Sequence, residues 1–250
     1  MTISTLTSTE PDVAPVLPTR ISVQPSATGV VVEMLDRGDF LAPRLLSIDG
    51  ARVRIALVGC CAMLVAGDRL ELDIAVGAGV ELELVEPSGT VAYNARGGNA
   101  SWTARVTVAC GGVLRWQAAP LVISKGADLT RCITIDLAEG ARAVLSEVVV
   151  LGRSGERGGA LRSSQRVTYA AAPLLVEELY LADPELRSCP GILGDYRVIG
   201  TVAIFGHRPD TLPSPTATYL AGPGALARVL SHAAHTIEHE MDQWWQAWHR

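Results

Sequence analysis

The sequence predicts a mainly β protein of stacked antiparallel hairpins, arranged as a solenoid or a sandwich, with an amphipathic α-helix at the C-terminus. Three observations lead to this fold class. Apolar and polar residues alternate in many short runs, which is the period of a half-buried strand. Glycine-containing turns separate these runs. After residue 222 the apolar residues instead recur every three or four positions, which is the helical period.

The first 28 residues differ from the rest of the chain. They are rich in Thr, Ser and Pro and show no apolar period. Such a composition favours a disordered tail. Because a length of 250 residues allows one large domain, we expect residues 29–250 to form a single β-rich unit.

Three pairs of runs have the form of a β-hairpin. Arg69–Val76 alternates strictly, residues 77–79 form a glycine turn, and residues 80–84 alternate again. Residues 101–117 and 131–150 repeat the pattern around their own glycine turns. The turn glycines Gly79, Gly112 and Gly140 lie about 30 residues apart, which is typical of a solenoid, although a sandwich with similar turns fits equally well. Further strands are predicted at Val30–Leu35, Arg52–Val58, Leu174–Leu181 and Val198–Phe205.

The C-terminal helix is predicted over residues 222–249. Its apolar residues fall on one arc, and Trp244 and Trp248 are the expected anchors that pack on the protein's own sheet or bind a partner. His232, His235 and His239 are expected on the opposite, polar side. Imidazoles one turn apart can share a divalent ion, so they are candidate surface metal ligands, but a plain solvated face fits the pattern as well.

Composition and charge exclude several classes of function. The chain has 21 Lys and Arg residues against 26 Asp and Glu, a net charge of −5, so neither nucleic acid nor an anionic membrane is an expected partner. No run is long and apolar enough for a membrane span, and we expect no signal peptide. The five cysteines form no Cys-x-x-Cys pair, which argues against a zinc site and indicates a cytoplasmic protein with reduced, mostly buried thiols.

Catalytic motifs are missing from the sequence. The glycine cluster at residues 152–159 lacks the lysine of a phosphate-binding loop, and there is no Gly-x-Ser-x-Gly. All five histidines follow residue 206, which is a poor distribution for a metal-dependent active site. We therefore expect no enzyme, while an all-β metal-dependent hydrolase and a β-rich interaction module without a metal role remain the alternatives.

Five segments in order resemble the urease accessory protein UreD family, also called UreH. They are Ala66–Asp68 with the two following strands, Glu86–Tyr93, Leu114–Ile123, Gly152–Glu156 and Pro173–Leu181. The similarity extends from about residue 29 to about residue 248. The chain departs from the family pattern at residues 59–62, which lack an Asn-Pro-Pro-Gly-Gly-type run, and at Val91, where the family has lysine.

The resemblance implies a non-enzymatic maturation factor with a mostly β fold. Such a factor binds apo-urease and the accessory protein UreF, which recruits the GTPase UreG, and helps to deliver nickel to the urease active site. It implies no tightly bound cofactor, only nickel in transit along polar residues between β layers. The expected path positions are Asp68, Glu86, Ser88, Asp128, Glu147 and Glu156.

Overall fold

Two β-sheets face each other across an apolar core in the computed structural model, which describes residues 15–249. Within those residues there are seventeen strands, two α-helices and one 3₁₀ turn, Ala234–Thr236. The helices are α1 (Pro184–Arg187) and α2 (Glu238–Trp248). The strands are β1 (Thr19–Ser26), β2 (Gly29–Asp36), β3 (Leu41–Asp49), β4 (Arg52–Gly59), β5 (Arg69–Val76), β6 (Glu81–Val85), β7 (Thr90–Ala92), β8 (Ala100–Val108), β9 (Val113–Gln117), β10 (Leu121–Ile123), β11 (Asp128–Leu137), β12 (Arg142–Leu151), β13 (Ala160–Tyr169), β14 (Ala172–Tyr180), β15 (Val198–Phe205), β16 (Ala217–Tyr219) and β17 (Gly224–Ser231).

From β4 to β13 the chain alternates between the two sheets as it advances, whereas β1–β2, β3–β4 and β13–β14 are antiparallel hairpins within one sheet. The first sheet has the order β14-β13-β11-β8-β5-β1-β2, and the second has the order β16-β17-β15-β12-β9-β6-β4-β3, with β10 beside β12 and β7 beside β10. In the first sheet β5, β8, β11 and β13 run parallel, and in the second β4, β6, β9 and β12 do so. This winding confirms the mainly β, solenoid-like prediction.

The glycine turns of successive coils lie on top of one another. The Gly79 amide donates a hydrogen bond of 3.1 Å to the Cys110 carbonyl in the next coil. Gly79, Gly111 and Gly140 all have positive φ, a conformation that favours glycine, and so the turn of each coil can repeat the shape of the one before it.

The predicted antiparallel hairpins are wrong in their pairing, although their strands are correct. β5 hydrogen-bonds to β1 and β8, whereas β6 hydrogen-bonds to β4 and β9 in the other sheet. Alternation reports only which face of a strand is buried. A turn within one sheet and a turn across to the facing sheet bury the same side chains, so the pattern could not distinguish them.

The predicted tail is wrong for the part that the structure describes. Thr19–Ser26 forms β1, which pairs with β2 and β5, and Ile21 and Val23 are fully buried. This strand has only two apolar residues, Ile21 and Val23, and lies in a segment rich in Ser, Thr and Pro. That composition is typical of a disordered tail, so the strand was not predicted. Residues 1–14 lie outside the described residues.

The predicted helix begins too early. Gly224–Ser231 is strand β17, and α2 spans only Glu238–Trp248. Along β17 Leu226 packs into the core between the sheets, while Ala225 and Ala227 pack beneath α2. A strand that is covered on both faces carries apolar residues at odd and even positions, and these also fit a helical arc.

Two further observations concern the expected compartment. All five cysteines are unpaired, but Cys61, Cys110 and Cys189 are exposed and Cys60 and Cys132 half-buried, so the expectation of mostly buried thiols is wrong. None of the helices in residues 15–249 has the length and apolar character that a membrane span requires.

Candidate functional site

Charged side chains interrupt the apolar rows that face the space between the sheets. Arg131 stands between the buried Leu129 and Ile133 on β11, and Glu147 stands between Leu145 and Val149 on β12. Both point inward because the side chains of a strand alternate between its faces.

Glu177 on β14 and Arg228 on β17 interrupt their rows in the same way. Thr201 on β15 lies between them and Glu147, since Glu147 pairs with Thr201 and Thr201 with Arg228 across the second sheet. These polar groups therefore form a row across neighbouring strands.

Two ion pairs join the facing sheets. Arg131 donates a short hydrogen bond to the Glu147 carboxylate, and both side chains are largely buried. Arg228 donates two hydrogen bonds, of 2.8 and 2.9 Å, to Glu177, and its Nε lies 3.2 Å from the Thr201 hydroxyl. Burial acts to lower the pKa of Arg228, but its bonds to Glu177 and the charges of Glu177 and Glu147 outweigh that effect and raise it.

Glu86, which follows β6, is a further charged side chain between the sheets. Its carboxylate accepts hydrogen bonds from Trp116 Nε1 at 2.9 Å and from the Ala119 amide at 3.2 Å. Burial raises the pKa of this carboxyl, against the opposing effect of the two hydrogen bonds and of the Arg131 charge. In the part of the chain that the structure describes, Glu86 makes no ion pair. We call Glu86, Arg131, Glu147, Glu177 and Arg228 the interlayer cluster.

Two small cavities lie along the interlayer cluster. One, of about 40 Å³, is lined by Glu86, Trp102, Trp116, Arg131 and Glu147 among others. The other, of about 20 Å³, is also lined by Arg131 and Glu147 and continues to Glu177 and Arg228. Each can hold about one water molecule. The Arg131–Glu147 pair therefore stands between two cavities that both it and other polar groups line.

Aromatic rings form one wall of the larger cavity. The Trp102 and Trp116 rings stack with centroids 6.1 Å apart, and the Arg131 guanidinium lies 5.1 Å from the Trp102 centroid. These contacts hold the guanidinium from a second side, so that both Glu147 and Trp102 position it.

The structure brings together two of the six expected nickel-path residues, Glu86 and Glu147. The other four lie elsewhere. Asp68 accepts a hydrogen bond of 2.7 Å from the Val65 amide in a turn, and Ser88 is exposed in the loop after β6. Asp128 forms a surface ion pair of 2.6 Å with Arg162.

Glu156 belongs to the exposed glycine-rich loop at residues 152–159. Its carboxylate accepts hydrogen bonds from the Lys125 and Arg153 amides, at 2.9 and 3.0 Å, and from the Arg153 guanidinium. These bonds lower its pKa to about 2. Glu156 therefore holds a loop closed on the surface and does not reach the interlayer cluster.

The three candidate histidines do not share a helix. His232 follows β17, and its ring lies 4.7 Å from the Tyr196 ring centroid at a tilt of 39°. His235 lies in the 3₁₀ turn, and His239 lies in α2. Trp244 and Trp248 are buried against the outer face of the second sheet. Their expected anchoring contact is thus made within the chain.

Arg131, Glu177, Thr201 and Arg228 were not predicted from the sequence. A signal for them exists, since each is a single polar residue at an inward position of an otherwise apolar row. Lone carboxylates at strand ends, which guided the prediction, are mostly turn or surface residues here.

The carboxylates are the metal-binding groups that the interlayer cluster offers. Carboxylate oxygens are suitable ligands for divalent ions. Among residues 15–249 no group of three or more His, Cys, Asp or Glu side chains is placed to hold a metal ion. A resident catalytic metal needs about three protein ligands, and in the described residues the three carboxylates of the interlayer cluster are not placed close enough together to supply them.

The chain is similar to known proteins over most of its length. The family model described as "UreD urease accessory protein" matches residues 19–250. The chain is 47% identical over 232 residues to urease accessory protein UreD 1 of Streptomyces griseus subsp. griseus, covering 92% of this chain and 91% of that protein. It is 33% identical to urease accessory protein UreD 1 of Saccharopolyspora erythraea over 227 residues, covering 88% and 89% of the two chains.

Proposed function

The chain belongs to the UreD family of urease accessory proteins, and we propose that it is a non-catalytic factor that passes nickel toward the urease active site through its interlayer cluster. Its partners in this proposal are apo-urease and UreF and, through UreF, the GTPase UreG. The observation that carries the nickel path is the cavity that Glu86 and Glu147 share between the sheets. The cytoplasm is the proposed location.

A passage between two apolar layers needs internal polar groups. An ion that leaves water for an apolar interior loses tens of kcal/mol of solvation unless ligands replace the water. The interlayer cluster supplies three carboxylates between the sheets, on β14, on β12 and after β6. The ion can therefore exchange oxygen ligands as it moves, with water filling the rest of its shell.

A second reading, that of an all-β metal-dependent hydrolase, has less support. It requires a site with about three protein ligands and an open position, and the carboxylates of the interlayer cluster are instead paired with arginine or bonded to Trp116. An interaction module without a metal role does not account for the buried charges. A well-packed apolar core is often more stable than a buried ion pair, so stability alone gives no reason to keep them.

The test is co-expression with the urease subunits and the other accessory proteins. Glu86→Gln combined with Glu147→Gln is expected to lower the nickel content and activity of the purified urease at least severalfold. Pull-down of apo-urease and UreF by the variant is expected to stay at the wild-type level. Asp128→Asn is the matched control, because it removes a carboxylate that pairs on the surface with Arg162.

Each outcome has a defined reading. Full nickel content with the double variant contradicts the interlayer path. Loss of the pull-down together with nickel assigns the two carboxylates to assembly instead. Failure of the wild-type chain to raise urease activation at all contradicts the maturation role itself.

A further inference from the structure

Arg131, the most buried cation of the interlayer cluster, lies between the two cavities of the cluster. The Arg131 side chain is about nine-tenths buried, and its guanidinium lines both cavities. It holds Glu147 on one side and lies against the Trp102 ring on the other. A cation that moves from one cavity to the other meets this guanidinium first.

The charges around the larger cavity explain why an arginine there is useful. Without Arg131, Glu86 and Glu147 would be two unpaired carboxylates facing one small, poorly hydrated space. A divalent cation in such a space is strongly attracted to both, because the low local dielectric constant strengthens every charge interaction. A site of that kind retains its metal, whereas a path has to release it.

We propose that Arg131 is an internal counter-ion that keeps the cavity between Glu86 and Glu147 from retaining a divalent cation. Its guanidinium occupies Glu147, so that an entering cation has one unpaired carboxylate, Glu86, and gains the second only by displacing the guanidinium. The nature of the cargo rests on the proposed function, but the suppression of metal retention is a property of this chain alone.

The second ion pair provides the matched comparison. Arg228 also pairs with a carboxylate across the sheets, but Glu177 does not line the larger cavity with Glu86. Glu177 lines the smaller cavity together with Glu147. When Arg228 is removed, Glu147 still has its ion pair with Arg131. Removing Arg228 therefore frees one carboxylate, whereas removing Arg131 places two in one cavity.

The experiment measures NiCl₂ binding to the purified full-length chain by calorimetry. Arg131→Gln is expected to bind nickel about tenfold more tightly than the wild type or better, because a second carboxylate joins the site. Arg228→Gln is expected to stay within about twofold, and Arg131→Gln combined with Glu86→Gln is expected to lose the gain. Saturating NiCl₂ should also raise the melting temperature of Arg131→Gln by about 5 °C or more, since the ion replaces the missing charge beside Glu147.

The result that overturns the proposal is a folded Arg131→Gln variant whose nickel affinity equals that of the wild type, or an equal gain in Arg228→Gln. If Arg131→Gln does not fold, Arg131→Met takes its place: it keeps most of the side-chain length but removes the charge, and about a tenfold gain is expected there too. No gain in a folded Arg131→Met variant also overturns the proposal. Because these measurements need no urease, they stand or fall separately from the co-expression test of the proposed function.

Discussion

Arg228 on β17 holds Glu177 on β14 with two hydrogen bonds, of 2.8 and 2.9 Å, and thereby joins the two sheets close to the edge of each. The side chains are less than one-third exposed, so water screens the pair only in part. Substitutions at this contact measure how much the interlayer cluster contributes to the free energy of unfolding, independently of nickel binding.

Arg228→Met is expected to lower the free energy of unfolding by about 2 kcal/mol, because it leaves the Glu177 carboxylate largely buried without its partner. Combining it with Glu177→Leu should recover at least half of that loss, since the second change removes the stranded charge. Urea denaturation measures both. Arg105→Met, which breaks an exposed pair with Glu71 and Asp73, is the control and should cost less than about 1 kcal/mol.

Trp244→Ala should destabilise the protein by about 4 kcal/mol, because the indole is 2% exposed and fills the space between α2 and the second sheet. Gln246→Ala on the exposed side of the same helix is the control and should change stability by less than about 0.5 kcal/mol. Thermal and urea unfolding report both. A Trp244→Ala variant as stable as the wild type would show that α2 does not anchor through this residue.

Gly200→Ala should cost about 1 to 2 kcal/mol through crowding alone. A Cβ at this position on β15 would lie 2.7 Å from both Ile237 Cδ1 and Met241 Sδ, so these two side chains have to shift to make room for it. Adding Met241→Ala makes room for the new methyl group. The cost of the double variant should therefore be smaller than the sum of the two single costs, which a double-mutant cycle measures. Simple additivity would mean that the two sites do not touch.

Glu156 contributes to the stability of the folded protein, and this contribution depends on pH in the acidic range. The pKa of this carboxyl falls from an ordinary value of 4.5 to about 2, chiefly because the amides of Lys125 and Arg153 bond to its charged form. A lowered pKa in the folded state means that the contribution is present above pH 4.5 and is lost as the pH falls toward 2. The melting-temperature difference between wild type and Glu156→Gln should therefore be largest above pH 4.5 and narrow below it. A difference that is constant with pH would contradict this role.

The sequence predicted strands most accurately where burial of a position requires an apolar residue. Alternation located Arg69–Val76 because every second residue has to be apolar there. A nearly continuous apolar run located Val198–Phe205, which is buried on both faces. Alternation did not identify the partner of each strand, because β5 buries the same side chains whether β6 lies beside it or across the core. Likewise Gly224–Ser231 is covered on both faces, which removed the period that distinguishes a strand from a helix.

The interlayer cluster was only partly predictable for a related reason. Glu86 and Glu147 were among the expected residues, whereas their environment depends on Arg131, which comes from the opposite sheet. A row such as Leu129, Arg131, Ile133 does reveal an inward charge. Which carboxylate meets that charge depends on how the two sheets are stacked, and strand periodicity contains no information on that stacking.

The alternation of consecutive strands between sheets also bears on how the chain folds. A hairpin can form as soon as its two neighbouring strands exist, but here β5 finds a neighbour in β8, one full coil further along the chain. Contacts of this long sequence separation make folding slow, because a large loop has to close before any pairing compensates for its lost entropy. During synthesis each strand would wait for about 30 further residues before its next ladder could form. We therefore expect newly made chains to expose unpaired strand edges for longer than a hairpin-built sandwich of equal size, and to depend on early capture by chaperones or partners to stay unaggregated.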